Sequence, residues 1–410
     1  MIDATIITEW LQFALRWTHV ITAIAWIGSS FYFIALDLGL RASPDADKGV
    51  GGEAWQVHGG GFYFIQKYMV APAHMPKELT WFKWESYATW LSGAVLLMLV
   101  YWHGAELFLI DPAKAELLPW QAILISGASL TIGWLVYDFL CKSGLAERPT
   151  LLMLLLFALL MAMGWGYNQI FSGRAVMLHL GAFTASIMTG NVFFIIIPNQ
   201  KIVVADLIAG RVPDAKYGKI AKLRSLHNNY LTLPVIFLML SNHYPLAFAS
   251  PYNWVIAGLI FLMGVSIRHF FNTHHAHKGM KWWTWAVTAA LFVAAIWLST
   301  LGQAYESYEE SEARVMTPYE QRFASADGFE DVADIVAGRC SMCHAREPGY
   351  PGIGTAPRGV LLETPADIAA HAERILVQSG LTNAMPPANV SYMEPGERAK
   401  IVAWVKAARG

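Results

Sequence analysis

Cys340-Ser-Met-Cys343-His344 decides how the rest of this chain is read. The spacing C-x-x-C-H is the attachment signature of a c-type haem: two thiols take up the porphyrin vinyl groups and the adjacent His supplies one axial ligand to iron. A second ligand is at hand in Met385, within Asn383-Ala384-Met385-Pro386-Pro387, where prolines stiffen the backbone behind a thioether. A His344/Met385 pair raises the haem potential and suits an electron acceptor. A zinc half-site is the competing reading, but the chain has three cysteines and no second C-x-x-C to complete four thiolates. The flanks fit a small all-α cytochrome of class I type, with a helix from Phe329 to Ala337 leading into the motif and a closing helix from Glu394 to Ala408. One covalent haem c is therefore expected, and the preceding 300 or so residues must exchange electrons with it.

Those residues read as membrane protein. The chain is 55% hydrophobic with 14% charged residues and seventeen tryptophans, and its mean hydropathy is +0.39. About eight apolar segments approach the 20 residues needed to cross a bilayer: near Trp10–Leu38, Tyr87–Trp102, Trp120–Leu140, Thr150–Asn168, Ala175–Pro198, Tyr230–Phe248, Asn253–Phe271 and Trp282–Leu301. The expected fold is all-α: a polytopic helical membrane domain over 1–301, an acidic tether over 302–323 and a cytochrome domain over 324–410. A cleaved signal peptide is not expected, because Asp3 and Glu9 stand where a basic region belongs and the apolar run from Trp10 is too long.

Charge sets the orientation. Lys201, Arg211, Lys216, Lys219, Lys222 and Arg224 follow the fifth segment, Arg268, Lys278 and Lys281 the seventh, Lys142 and Arg148 the third, and Lys48, Lys67, Lys77 and Lys83 the first. The opposite loops carry Glu106, Asp111, Glu116, Glu306, Glu309, Glu310 and Glu312, with Arg174 a minor exception. Positive residues mark the cytoplasmic side, which puts both termini and Cys340 on the outer side of a bacterial cytoplasmic membrane. Haem is attached to c-type cytochromes on that same side, so two unrelated signals agree. The net charge of −1 carries no further information, and nothing calls for a nucleic-acid partner; membrane lipid is the partner the composition implies.

Ionisable residues within a bilayer are costly and tend to be functional. Arg16 and His19 share a face of the first segment, His179 lies in the fifth, and His227 and His243 bound the sixth. Each has a bland reading as a hydrogen-bonded interfacial side chain. His19 and His179 fall within the hydrocarbon, where an iron would use the acceptor nitrogen of neutral imidazole. One or two b-type haems on His19, His179 and His243 stay open. The loop Gly49–Gly61 carries six glycines around Glu53 and His58, with Trp55, Phe62 and Tyr63 nearby. It reads either as a hinge or as a backbone approach to a flat or anionic ligand; no β-strand is expected before it.

Five stretches, Arg16–Tyr32, Gly51–Gly61, Asn191–Gln200, Arg224–Pro234 and Ser241–Pro245, together with the domain order, resemble the bacterial membrane-bound urate oxidase family with a fused C-terminal cytochrome c. The resemblance implies oxidation of urate to 5-hydroxyisourate, with electrons passed to the fused haem and on to a downstream cytochrome c or terminal oxidase, and no hydrogen peroxide. Such a reaction needs a base, for which His58 comes first and Glu53 second. Lys83 would hold the anion at an inner site and Arg16 at an outer one. An inner site would need a haem relay across about 30 Å of hydrocarbon; an outer site would need none. The competing readings are a quinol:cytochrome c oxidoreductase using b haems in the membrane domain, and a purine permease carrying a cytochrome for docking.

Overall fold

The computed structural model describes residues 4–47, 49–72, 76, 78–301, 315–354 and 356–410. Asp3, Lys48, His74, Met75, Lys77 and the acidic stretch 302–314 of the expected tether lie outside the described residues.

The apolar runs fold as helices because a chain in lipid must satisfy its backbone groups internally. They are α1 (Ala4–Gly39), α2 (Trp84–Leu96, continued by a wider π turn over Leu97–Trp102), a short α3 (Ala105–Phe108), α4 (Pro119–Lys142), α5 (Pro149–Ile170), α6 (Gly173–Gly190), α7 (Ile197–Ile208), α8 (Ala215–Leu240), a short α9 (Pro245–Phe248), α10 (Asn253–His275) and α11 (Trp283–Thr300). A π segment over Asn191–Ile196 joins α6 to α7. Prolines open α4, α5 and α9, where a missing N–H costs nothing. The Ser172 hydroxyl caps α6 by accepting from the Ala175 amide at 3.3 Å. Among the described residues six helices are long and apolar enough to cross a membrane: Thr5–Gly39, Pro119–Lys142, Pro149–Ile170, Gly173–Ile208, Asn253–His275 and Trp283–Thr300. The other two expected segments, Trp84–Trp102 and α8, are helical as well.

Helices α4, α5, α6, α8 and α10 share a core of Tyr137, Leu156, Leu160, Leu180, Phe183, Leu238 and Phe261. Small residues bring the backbones close, as helix association in lipid requires. A Cβ on Gly133 would stand 2.0 Å from Phe183 Cε2, and one on Gly264 would stand 2.5 Å from Pro234 Cδ. Pro234 therefore sits inside a continuous α8, its ring seated against α10. Helix α1 packs mainly on α2, and none of its most apolar stretch is buried within the protein; Trp10, Trp17 and Ile24 face outward.

Three expectations need correction. The fold is mostly helical, as expected, but not purely α: the glycine loop is an antiparallel hairpin, β1 (Val50–His58) with β2 (Gly61–Tyr68). Gly59 and Gly60 turn it with φ of 59° and 79°, the double positive φ that a tight hairpin turn demands. Arg224 is not a loop charge: the chain stays helical to Ile208, helix resumes at Ala215, and Arg224 is 2% exposed inside α8. Arg268 likewise lies within α10 and is 5% exposed. Lys201, Arg211, Lys216, Lys219, Lys222, Lys278 and Lys281 still gather at one end of the bundle.

The C-terminal residues form a second helical unit: α12 (Pro318–Ala324), α13 (Phe329–Arg339), α14 (Ser341–His344), α15 (Pro365–Ala370), α16 (Ala372–Ile375) and α17 (Pro395–Arg409). Its core holds Phe323, Val332, Val336, Leu376, Ile401, Trp404 and Val405. Trp404 Nε1 donates to the Phe323 carbonyl at 2.9 Å, so the largest buried ring leaves no orphan donor. Arg339 pairs with Glu397 at 2.9 Å, tying α13 to α17.

Candidate functional site

Helix α13 delivers Cys340 and the single turn α14 that follows. Burial pushes the Cys340 thiol up to about 11, with Cys343 beside it adding to the shift, so it stands neutral. Neither cysteine is in a disulfide. His344 Nδ1 donates to the Val360 carbonyl at 2.9 Å. That bond fixes the tautomer and leaves Nε2 as a lone-pair donor, the usual arrangement of an iron-ligating imidazole. Met385 is held at both ends of its backbone: its amide donates to the Gln378 carbonyl at 2.8 Å, and its carbonyl accepts from Arg398 at 2.9 Å. Two free thiols, one oriented imidazole and one anchored thioether fit a covalent haem c. Among the described residues no group of three or more His, Cys, Asp or Glu is arranged to hold a bare metal ion.

In the bundle, His179 is fully buried on α6. Its Nδ1 donates to the Ala175 carbonyl at 2.9 Å, so its Nε2 accepts from Ser126 Oγ at 2.8 Å, and Ser126 in turn accepts from Trp102 Nε1 at 2.9 Å. Both nitrogens are engaged. His19 lies against α2, with Nδ1 2.9 Å from the Thr89 carbonyl, and its ring fills the space a Cβ on Gly93 would need; its Nε2 has no hydrogen bond among the described residues. His243 is exposed at the end of the bundle that carries the C-terminal unit. None of these three rings contacts another among the described residues.

The structure also leaves His58, Glu53, Lys83 and Arg16 apart. His58 is exposed at the hairpin tip. Glu53 lies five residues back on the same strand, about 17 Å away and on the opposite face, where it accepts from Gln66 at 2.8 Å. Lys83 precedes α2 with Nζ 5.7 Å from the Trp84 ring centre. Arg16 is exposed on α1.

Sequence reasoning missed two buried polar groups. In the first, Arg224 donates to Asp138 at 2.6 Å and to Asn191 at 2.9 Å. Asn191 donates to Tyr137 Oη and to Asn228, both at 3.0 Å. Tyr137 Oη and His227 Nδ1 share a 2.8 Å bond, and His227 Nε2 is buried without a hydrogen-bond partner among the described residues. In the second, Arg268 donates to Asn229 at 3.2 Å and Asn272 at 3.1 Å, with its guanidinium carbon 3.9 Å from the Phe31 ring centre. Runs such as Leu226-His227-Asn228-Asn229-Tyr230 in α8 were the available signal: consecutive polar residues inside a helix that must face several neighbours at once.

A third feature lies between the two units. A half-open cavity of about 550 Å³ is lined by the bundle end and the segments around Arg358 and Arg374, with Lys114, Arg174, Phe108 and Phe248 in its wall.

The urate oxidase N-terminal family model matches residues 5–299, which is most of the chain. Comparisons with curated proteins and with solved structures returned no match. The match covers the whole helix bundle and its hairpin, and it supports a urate-related oxidoreductase role. By that span of agreement, the chain belongs to the urate oxidase N-terminal family.

Proposed function

We propose that this protein oxidises urate to 5-hydroxyisourate at a membrane and passes the electrons to a c-type haem carried on its own C-terminal unit, without forming hydrogen peroxide. The observation that carries the reading is the pairing, in one chain, of the family domain over residues 5–299 with Cys340, Cys343 and a His344 whose Nδ1 is tied to Val360. Cys340 and Cys343 would hold the group covalently, His344 Nε2 and Met385 would ligate its iron, and when bound it supplies a one-electron acceptor of high potential.

The balance is simple. Urate plus water gives 5-hydroxyisourate, two protons and two electrons. Water adds at C5 of the oxidised purine, so the oxygen of the product comes from water and O₂ is not consumed in the step. Two one-electron transfers per urate are needed, with a downstream cytochrome c or terminal oxidase as the acceptor between them. The protein's own tasks are to bind a flat anion, orient it and take up protons. Eight membrane spans, both termini outside and the C-terminal unit on the outer face of a bacterial cytoplasmic membrane are part of the proposal. The basic cluster from Lys201 to Lys222 at the opposite end supports that orientation. One or two b-type haems would be needed only if urate bound at the inner end.

The test is turnover with purified protein and an added ferric cytochrome c as acceptor, in water enriched in ¹⁸O. The reading predicts label in the product, two acceptors reduced per urate and no peroxide. Stoichiometric peroxide, with oxygen required, would refute it.

A further inference from the structure

The cavity at the junction of the two units is about 550 Å³, within the range that takes small ligands. Three guanidinium groups line it: Arg174 from the start of α6, and Arg358 and Arg374 from the C-terminal unit. An arginine carries five N–H donors. Among the described residues none of these three guanidinium groups donates a hydrogen bond or forms an ion pair with a carboxylate. Their contacts are with rings: Arg174 is 5.0 Å from the Phe248 centre and Arg374 is 4.7 Å from Phe108. Asp111, in the same wall, is 3.8 Å from Lys114. Burial, and the facing charges of Arg174 and Arg358, bring Arg374 down to about 10. Arg358 itself sits at φ 58°, a left-handed conformation that a long side chain rarely adopts. Arg174 and Arg374 are half-buried and Arg358 is exposed beside them, and crowded, partly buried cations without hydrogen-bond partners are costly unless an anion meets them.

Three further observations narrow the anion. The wall combines the cations with the aromatic rings of Phe108 and Phe248, which suits a planar ligand. His371 donates its Nδ1 proton to the Asp367 carbonyl at 2.9 Å, so its Nε2 is free to accept from a ligand N–H. Val360, whose carbonyl orients His344, is itself a lining residue. An occupant would thus lie one residue away from the proposed axial ligand, where an electron donor belongs.

We propose that this cavity is the urate site, with Arg174, Arg358 and Arg374 holding the purine anion, His371 Nε2 accepting from a purine N–H, and Phe108 and Phe248 flanking the ring. The inference rests on the proposed function and places its substrate on the same side as the C-terminal unit, so electrons need not cross the bilayer.

Arg358→Gln, Arg374→Gln and the charge-keeping Arg374→Lys are made in the full chain. Three quantities are read: equilibrium binding of labelled urate to the oxidised protein, haem content by pyridine haemochrome, and haem reduction by ascorbate. Losing one charged donor should weaken urate binding about 10- to 100-fold and raise KM similarly, with haem content and ascorbate reduction unchanged and Arg374→Lys intermediate. Unchanged urate affinity overturns the site. If that result comes with lost haem content, the arginines clamp the haem propionates instead. If wild-type protein binds urate with this arginine dependence but urate leaves the c band oxidised, the functional reading fails and the site stands.

Discussion

Asp138→Asn should cost more than Arg224→Gln, although the two residues are partners in one buried ion pair. Their side chains are 9% and 2% exposed and 2.6 Å apart. Removing Asp138 leaves Arg224 buried among neutral groups, with the Asn191 Oδ1 bond at 2.9 Å as its remaining strong contact. An uncompensated buried charge of this kind costs about 3–5 kcal/mol. Removing Arg224 is different, because Lys142 also pairs with Asp138 at 2.6 Å and its head is 64% exposed. Asp138 therefore keeps a counter-ion, and the loss is that of charged hydrogen bonds, about 1–3 kcal/mol. The assay is thermal unfolding in detergent, followed by loss of monodisperse protein. At roughly 2–4 °C per kcal/mol, Asp138→Asn should lower the midpoint by about 10 °C and Arg224→Gln by a few degrees. A double replacement by apolar residues of similar volume should be milder than Asp138→Asn alone. Equal midpoints, or the reverse order, would refute the reasoning that Lys142 is a reserve counter-ion.

Three further outcomes are expected. Met385→Leu should retain covalent haem but lower its potential, since the thioether is what favours ferrous iron; redox titration of the c band measures it, and an unchanged potential would remove Met385 as ligand. Gly133→Ala should destabilise the bundle by about 1–3 kcal/mol, because its Cβ would stand 2.0 Å from Phe183; pairing it with Phe183→Leu should recover most of the loss in the same melting assay. His371 is held down to about 4 by burial first, then by Arg374, with Arg174 adding to it against an opposing contribution from Asp367. The unfolded chain, titrating near 6.5, binds more protons between those values. Stability should therefore be fully present above about pH 6.5 and fall by about 3 kcal/mol as pH drops to about 4; a His371→Gln variant should show a shallower decline across that window.

The mostly helical character of the chain was legible because it rests on a local signal, the length of the apolar runs. The hairpin had a signal too. Gly59-Gly60 lies between Trp55-Gln-Val and Phe62-Tyr-Phe, and a Gly-Gly step between such flanks is a turn signature; the six glycines of the loop equally suit a hinge. Arg224 and Arg268 were misread because a cation near a span end looks interfacial from sequence. The partner that buries Arg224, Asp138, lies 86 residues away on another helix. Arg174 is the sharpest case. As an exception to the charge rule it carried no meaning, and it acquires one beside Arg358 and Arg374, which come from the other unit. Convergence of that kind is set by tertiary packing, and no local pattern in the chain encodes it.

The most direct test of the central claim is anaerobic mixing of the oxidised, detergent-purified protein with urate while the visible spectrum is recorded. Prompt reduction of the c band is expected, with one urate consumed for every two haems reduced. A c band that stays oxidised with urate, yet is reduced at once by a quinol, would contradict it.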